Sequence, residues 1–162
     1  WMWDAARALK NGGAMLCFCR WDVQEAFRVC IELAGLRVRS QIVWDKKTHG
    51  QGDCFATPAP RHEVAWFATK GKFRFPNGRP QSLFEAKAIP GVRRVHPTEK
   101  PADLMRRLVR AVTPEGGTVL DPCMGSGSTG EVVRDGYRFI GVEIDRKFFT
   151  AAKKRLTLVM AA

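Results

Sequence analysis

Residues 118–145 constrain the fold more than any other part of this sequence. The stretch "LDPCMGSGSTG" (120–130) carries Gly125, Gly127 and Gly130 in the pattern G-x-G-x-x-G. A short apolar run, "TVLD" (118–121), precedes it, and a helical pattern follows through Arg134. After a turn at Asp135-Gly136, a second strand-like run, "YRFIGVEID" (137–145), carries Glu143 near its end. Strand, glycine loop, helix, strand and acid is the order in which an α/β sheet builds a nucleotide site. The glycines let backbone approach the ligand, the helix start offers unpaired N–H groups, and the acid accepts from ribose hydroxyls. Three glycines alone would equally describe a tight turn. The two strands and the acid shift the reading toward a ligand.

The loop has no lysine, which excludes the phosphate-binding loop of ATPases, since that loop needs Gly-Lys-Ser/Thr. Spacing by itself leaves NAD open. However, Asp121-Pro122 stands at the end of the first strand, and a carboxylate there would face a pyrophosphate unfavourably. It suits a ligand with a positive centre, such as the ammonium or sulfonium of S-adenosylmethionine.

A chain of 162 residues is long enough for one domain with a real core. Its net charge of +11 and pI near 10.0 draw it to polyanions, of which nucleic acid is the commonest. The five cysteines are odd in number and include no C-x-x-C pair. This composition favours free thiols in a reducing cytoplasm, with neither a disulfide frame nor a metal site. No apolar run reaches membrane-spanning length. The sequence opens Trp1-Met2-Trp3-Asp4, as though entering a domain already under way.

The remaining pattern is α/β throughout, so a mostly parallel sheet with helices on both faces is expected. Residues 2–10 read as the end of a helix stopped by Asn11-Gly12-Gly13. "AMLCFC" (14–19) reads as a strand buried on both faces. Asp22 and Glu25 form an expected capping box for a helix with Val23, Ala26, Phe27, Cys30, Leu33 and Ala34 on one face. Strands are expected at 36–44 and 62–69, joined by a Gly- and Pro-containing loop over 45–61. From Lys70 to Val95 regular pattern is lost, and seven Lys or Arg stand against one Glu. Two helices complete the reading. One has Leu104, Met105, Leu108, Val109 and Val112 on its apolar face, and the other spans 146–159.

These residues resemble a known family. "DPCMGSGSTG" resembles the D-P-F-x-G-S-G-T-T motif of amino-group DNA methyltransferases, and "HPTEKP" (96–101) resembles the segment placed just before it. "FIGVEIDRKFFTAAKKRL" resembles their ribose-binding strand and closing helix, and "IVWDKK" with "HEVAWFATKGK" their strands beside the target-recognition region. The order of these segments is that of the circularly permuted beta class. The resemblance implies a Rossmann-like class I S-adenosylmethionine-dependent fold with strand order 3-2-1-4-5-7-6. It also implies methyl transfer to adenine N6, favoured, or cytosine N4 in double-stranded DNA.

Carried over by motif, Asp121, Pro122, Cys123, Gly125, Ser126 and Gly127 would line the methionine and adenosine moieties, with Ser128 and Thr129 capping the following helix. Glu143 would hold the ribose, Ile144 and Asp145 would flank the adenine, and His96, Pro97, Thr98 and Lys100 would close the methionine end. Cys123 stands where the family often has Phe. Residues 70–95 would form a short target-recognition segment ahead of a cofactor half at 96–162. Lys46, Lys47, Lys70, Lys72, Arg74, Arg79, Arg93 and Arg94 are the candidate DNA contacts.

The class also carries an acid-Pro-Pro-aromatic motif that grips a flipped base by stacking and accepts its amine hydrogens. No such motif occurs in these residues, so no catalytic residue is assigned among them. Its expected place is upstream of Trp1, at the end of central strand 4. The chain by itself is therefore expected to be inactive, with a homodimer or complementing chain as one source of the missing strand. A catalytically inactive cofactor- and DNA-binding subunit is the alternative reading, and a dinucleotide oxidoreductase a third. The resemblance further implies a cytoplasmic protein of bacterial or phage origin, tied to DNA methylation and restriction-modification.

Overall fold

Two apolar runs, "AMLCFC" and "HEVAWFAT", pair along six residues and organise the first half of the chain. The computed structural model describes residues 1–50 and 54–161. Residues 51–53, part of the loop expected over 45–61, lie outside the described residues. Two compact units divide the chain, Trp1–Arg74 with Pro80–Ala88 and Phe75–Arg79 with Ile89–Ala162.

The first unit comprises α1 (Met2–Ala8), β1 (Ala14–Cys19), α2 (Gln24–Leu33), β2 (Arg37–Asp45), β3 (His62–Thr69) and β4 (Leu83–Glu85). Its sheet has the order β1-β3-β2-β4. β3 is antiparallel to both neighbours, and only β4 lies parallel to β2. The expectation of a mostly parallel sheet is therefore corrected for this unit. Parallel neighbours need a crossover, usually a helix; none joins β2 to β3 among the described residues, so β3 returns antiparallel.

One face of this sheet packs under the two helices. Met2, Ala6 and Ile31 meet Cys17, Leu36 and Ala68, with Met15, Val38 and Trp66 around them. Ile31 is fully buried, a placement that contributes roughly 1.5–3 kcal/mol over leaving it exposed. Trp66 Nε1 and Gln41 Nε2 bond Gln24, O and Oε1 respectively, fixing the start of α2 over the sheet.

Three local expectations differ from what is observed. β1 is only half-buried apart from Cys17, because it lies at the end of the sheet order and pairs with β3 alone. Asp22 does not cap α2. Its carboxylate is taken by Arg20, and the helix begins after Val23 with no side-chain cap. β4 was invisible in the sequence, since three residues cannot show alternation. It is held by main-chain pairing to β2 and by Trp44 Nε1 donating to Ala86 O at 2.8 Å.

The second unit contains a 3₁₀ turn (Gly91–Arg93), α3 (Ala102–Val112), β5 (Thr118–Asp121), a 3₁₀ helix (Thr129–Asp135), β6 (Arg138–Gly141) and α4 (Arg146–Met160). β5 and β6 are parallel, with Asp121 opposite Gly141. Val109, Val132 and Tyr137 form the core beneath them, with Val119 and Phe139 packed against it. The other face carries Leu120 and Ile140, 40% and 55% exposed, so these strands are covered on one side only within this unit. The helix expected after the glycine loop is wound as 3₁₀: Gly130 bonds back to Gly127 and Glu131 to Ser128. It is a seven-residue piece, longer than the roughly three or four residues usual for this tighter winding.

Candidate functional site

The loop after β5 is the most thoroughly buried backbone of the second unit: residues 124–130 are buried without a break. Its shape follows from its glycines. Gly125 adopts φ +54°, and a Cβ there would lie 3.1 Å from Cγ of His96; Gly127 adopts φ +79° and would meet Cβ of Ala152 at 2.9 Å. Only glycine admits both the left-handed backbone and the close approach. Asp121 Oδ1 accepts from Cys123 N at 3.1 Å, which turns the chain sharply out of β5. Met124 N donates to Val142 O and Val142 N to Asp121 O, so the segments leaving both strands are stitched together.

Glu143 fastens the loop to the second strand. One carboxylate oxygen accepts from Gly125 N at 2.8 Å and the other from Asp145 N at 2.9 Å. Each oxygen keeps a further lone pair for an incoming hydroxyl. Asp145 caps α4, accepting from Lys147 N and Phe148 N. Ile144 between them is fully exposed. Ser128 occupies the cap position of the 3₁₀ helix without a side-chain cap bond, and both Ser128 and Thr129 are buried. Burial, followed by the carboxylates of Asp121 and Glu143, pushes the Cys123 thiol above its ordinary value.

The 95–100 segment lies against this loop. The His96 ring meets Phe148 edge-on at 4.3 Å between centroids. Thr98 N donates to His96 Nδ1 at 3.3 Å. Lys100 Nζ donates to Thr98 O at 3.0 Å. Sequence reasoning passed over Glu99, although it is the buried acid of this segment, accepting from Val95 N, His96 N and Arg155. It also passed over Arg155, because 56 residues separate the partners and no local pattern links them.

Within the second unit the structure joins the expected residues in three bonded groups: Asp121 with Cys123 and, through Val142 and Met124, Gly127; Gly125 with Glu143 and Asp145; and His96 with Ser126 through Glu99 and Arg155. The candidate DNA contacts divide between the units, Lys46, Lys47, Lys70, Lys72 and Arg74 in the first and Arg79, Arg93 and Arg94 in the second. Lys46 pairs with Glu63 at 2.9 Å and lies over the Trp44 ring. Lys47 pairs with Glu85 at 2.6 Å, and Lys70 donates to the carbonyls of Ala6 and Arg7 at the end of α1. Arg94 donates to Ile89 O and Pro97 O. Lys72, Arg74, Arg79 and Arg93 are exposed.

A buried glycine loop closed by an acid from the next strand, on an α/β scaffold, defines a nucleotide-type cofactor site. Comparison with known proteins makes the class specific. A family model for DNA methylases matches residues 1–154. YubD of Escherichia coli (strain K12), which bears the name methylase, is 31% identical over 164 residues, covering 96% of this chain and 67% of that protein. The Type II methyltransferase M2.DpnII of Streptococcus pneumoniae is 48% identical over 62 residues, covering 38% of this chain and 23% of that protein. The crystal structure of M1.HpyAVI in complex with SAM superposes with a TM-score of 0.81 at 28% identity, covering 96% of this chain and 80% of that one. The cytosine-N4-specific PvuII DNA methyltransferase shares the fold, with a TM-score of 0.72 at 16% identity over 97% of this chain and 72% of that one. The chain belongs to the DNA methylase family, S-adenosylmethionine-dependent enzymes that methylate amino groups of DNA bases. Among the described residues, no helix is long and apolar enough to cross a membrane.

Proposed function

We propose that residues 96–145 hold S-adenosylmethionine for transfer of its methyl group to an exocyclic amine of a DNA base, adenine N6 or cytosine N4. The observation that carries this reading is Glu143. Its two oxygens are each anchored by one loop amide, which leaves a rigid, doubly accepting carboxylate for a ribose diol. The residues fit the group in two further respects. Asp121, at the end of β5, offers negative charge to an ammonium, and Gly125 and Gly127 let the loop pack against His96 and α4, where a Cβ would collide. When bound, S-adenosylmethionine would supply an electrophilic methyl on sulfur for the base's amine, with S-adenosylhomocysteine as the leaving group and the amine's proton passing to water. The chain's own share is to bind and orient in a fixed pocket, the source of large effective concentrations in such reactions. His96, Pro97, Thr98 and Lys100 would close the methionine end and Ile144 the adenine face.

The partner is double-stranded DNA, with Lys72, Arg74, Arg79 and Arg93 as phosphate contacts because they are exposed. Lys46, Lys47, Lys70 and Arg94 would serve chiefly to hold their own segments in place.

Calorimetry with S-adenosylhomocysteine and with NAD tests the cofactor. The protein carrying this chain should bind the first, and Asp121→Ala and Glu143→Ala should each weaken binding roughly tenfold or more, the scale of a hydrogen bond to a charged group. Preference for NAD, or unchanged affinity in both variants, would overturn the site. Nucleoside analysis of DNA methylated by that protein separates N6-methyladenine from N4-methylcytosine.

A further inference from the structure

Glu99 is the most buried carboxylate described, with a side chain only 2% exposed. A charge in that position is costly unless it is fully paired, and here it is. One oxygen accepts from Val95 N at 2.7 Å and His96 N at 3.3 Å, and the other from Arg155. Burial by itself would raise the pKa of Glu99. Arg155 and the two amides outweigh burial and leave it below the ordinary value. Arg155 comes from α4, and its guanidinium also reaches Ser126 Oγ at 3.4 Å and Glu131 at 3.6 Å. The pair therefore joins three separate pieces of chain: the 95–99 segment, the glycine loop with its 3₁₀ helix, and α4.

What it positions is adjacent to the loop. The two amides held by Glu99 belong to His96 and its neighbour, and the His96 ring sits over Gly125 and against Phe148 of α4. A groove of about 350 Å³ opens there, with Gly91, Arg94, Val95 and Pro97 on one wall and Lys147 and Phe148 on the other. Glu99 fastens the first wall, Arg155 belongs to the helix that carries the second, and their contact sets the spacing.

We infer that Glu99 and Arg155 are positioning residues for the cofactor site, acting together through His96 to hold the methionine-end wall against the glycine loop. The inference rests on the reading of that loop as the S-adenosylmethionine site. It accounts for an acid and a base far apart in sequence that bond each other and reach His96 and Ser126, two of the expected cofactor-binding residues.

The test is titration of S-adenosylhomocysteine into the protein carrying this chain, with melting temperatures measured in parallel. The variants are Glu99→Gln, Arg155→Lys, Arg155→Met, the double variant Glu99→Gln/Arg155→Met, and Asp135→Asn. The last breaks a comparable pair, Arg106–Asp135, which ties α3 to the end of the 3₁₀ helix. Glu99→Gln and Arg155→Met should each weaken binding about tenfold, and the double variant should be no weaker than the weaker single, as for residues acting as a unit. Arg155→Lys keeps the charge and fold but cannot span Glu99, Ser126 and Glu131 together, so it should weaken binding while melting near the wild type. Asp135→Asn should lower the melting temperature and leave affinity unmoved. Unchanged affinity in Glu99→Gln and Arg155→Lys, additive losses in the double variant, or an equal loss in Asp135→Asn would overturn the positioning role while the loop reading stands. A wild type that binds no S-adenosylhomocysteine would overturn both.

Discussion

Replacing Gly127 by alanine isolates how tightly the glycine loop is built against α4. Two costs follow from the coordinates. At φ +79° an alanine pays left-handed strain of about 1–2 kcal/mol. Its Cβ would also lie 2.9 Å from Cβ and 3.2 Å from Cα of Ala152. Ala152 is fully buried and its Cβ cannot rotate away, so α4 must move, an overpacking cost of about 1–3 kcal/mol. The sum is about 2–5 kcal/mol. Gly136 supplies the control: it has the same φ of +79°, with nothing within 4 Å of a Cβ. Gly136→Ala should therefore lose only the strain, about 1–2 kcal/mol. Urea unfolding of the two variants side by side measures the difference, and S-adenosylhomocysteine titration should show weaker binding for Gly127→Ala alone. Equal losses of stability would refute the close packing of loop and helix.

Two further outcomes concern ionisation. The Cys123 thiol, raised by burial and by the Asp121 and Glu143 carboxylates, should reach half-maximal alkylation by iodoacetamide above pH 9.0. Asp121→Asn should bring that midpoint down; site-resolved mass spectrometry reads both, and a midpoint that ignores Asp121 would place the thiol elsewhere. Asp45, bonded to Arg61 and to Lys47 N, is lowered from 3.8 to about 2. A lowered carboxyl favours the folded state above its unfolded value, and that contribution is lost as pH falls through about 2. Carbon NMR of the Asp45 carboxyl should show this midpoint, and Arg61→Ala should return it toward 3.8; a midpoint unmoved by that substitution would discount the pair.

The cofactor half was legible because its signals are local. β5 spans the expected 118–121, α4 begins after Asp145, and the glycines and the acid occupy adjoining positions as their spacing implied. Strand direction was not legible in the first unit. The stretch between β2 and β3 carries no periodicity that distinguishes a return loop from a crossover, and β3 came back antiparallel. Asp22 and Glu25 had the spacing of a capping box, but Arg20, two residues upstream, competes for the same carboxylate. Glu99 and Arg155 mark the boundary of what spacing can reveal. An ion pair across 56 residues leaves no trace in the chain until the fold closes it.

The bonds described for the candidate site run between positions 95 and 155. Contiguity of this kind has a consequence at the level of genes. A recombination junction placed ahead of residue 89 carries the loop, its acid, the His96 segment and α4 as a single heritable block. A junction at any point between Glu99 and Glu143 would part the glycine loop from one of its two clasps. Within this stretch, the places where a junction is tolerated are thus set by which residues hold the loop from either side.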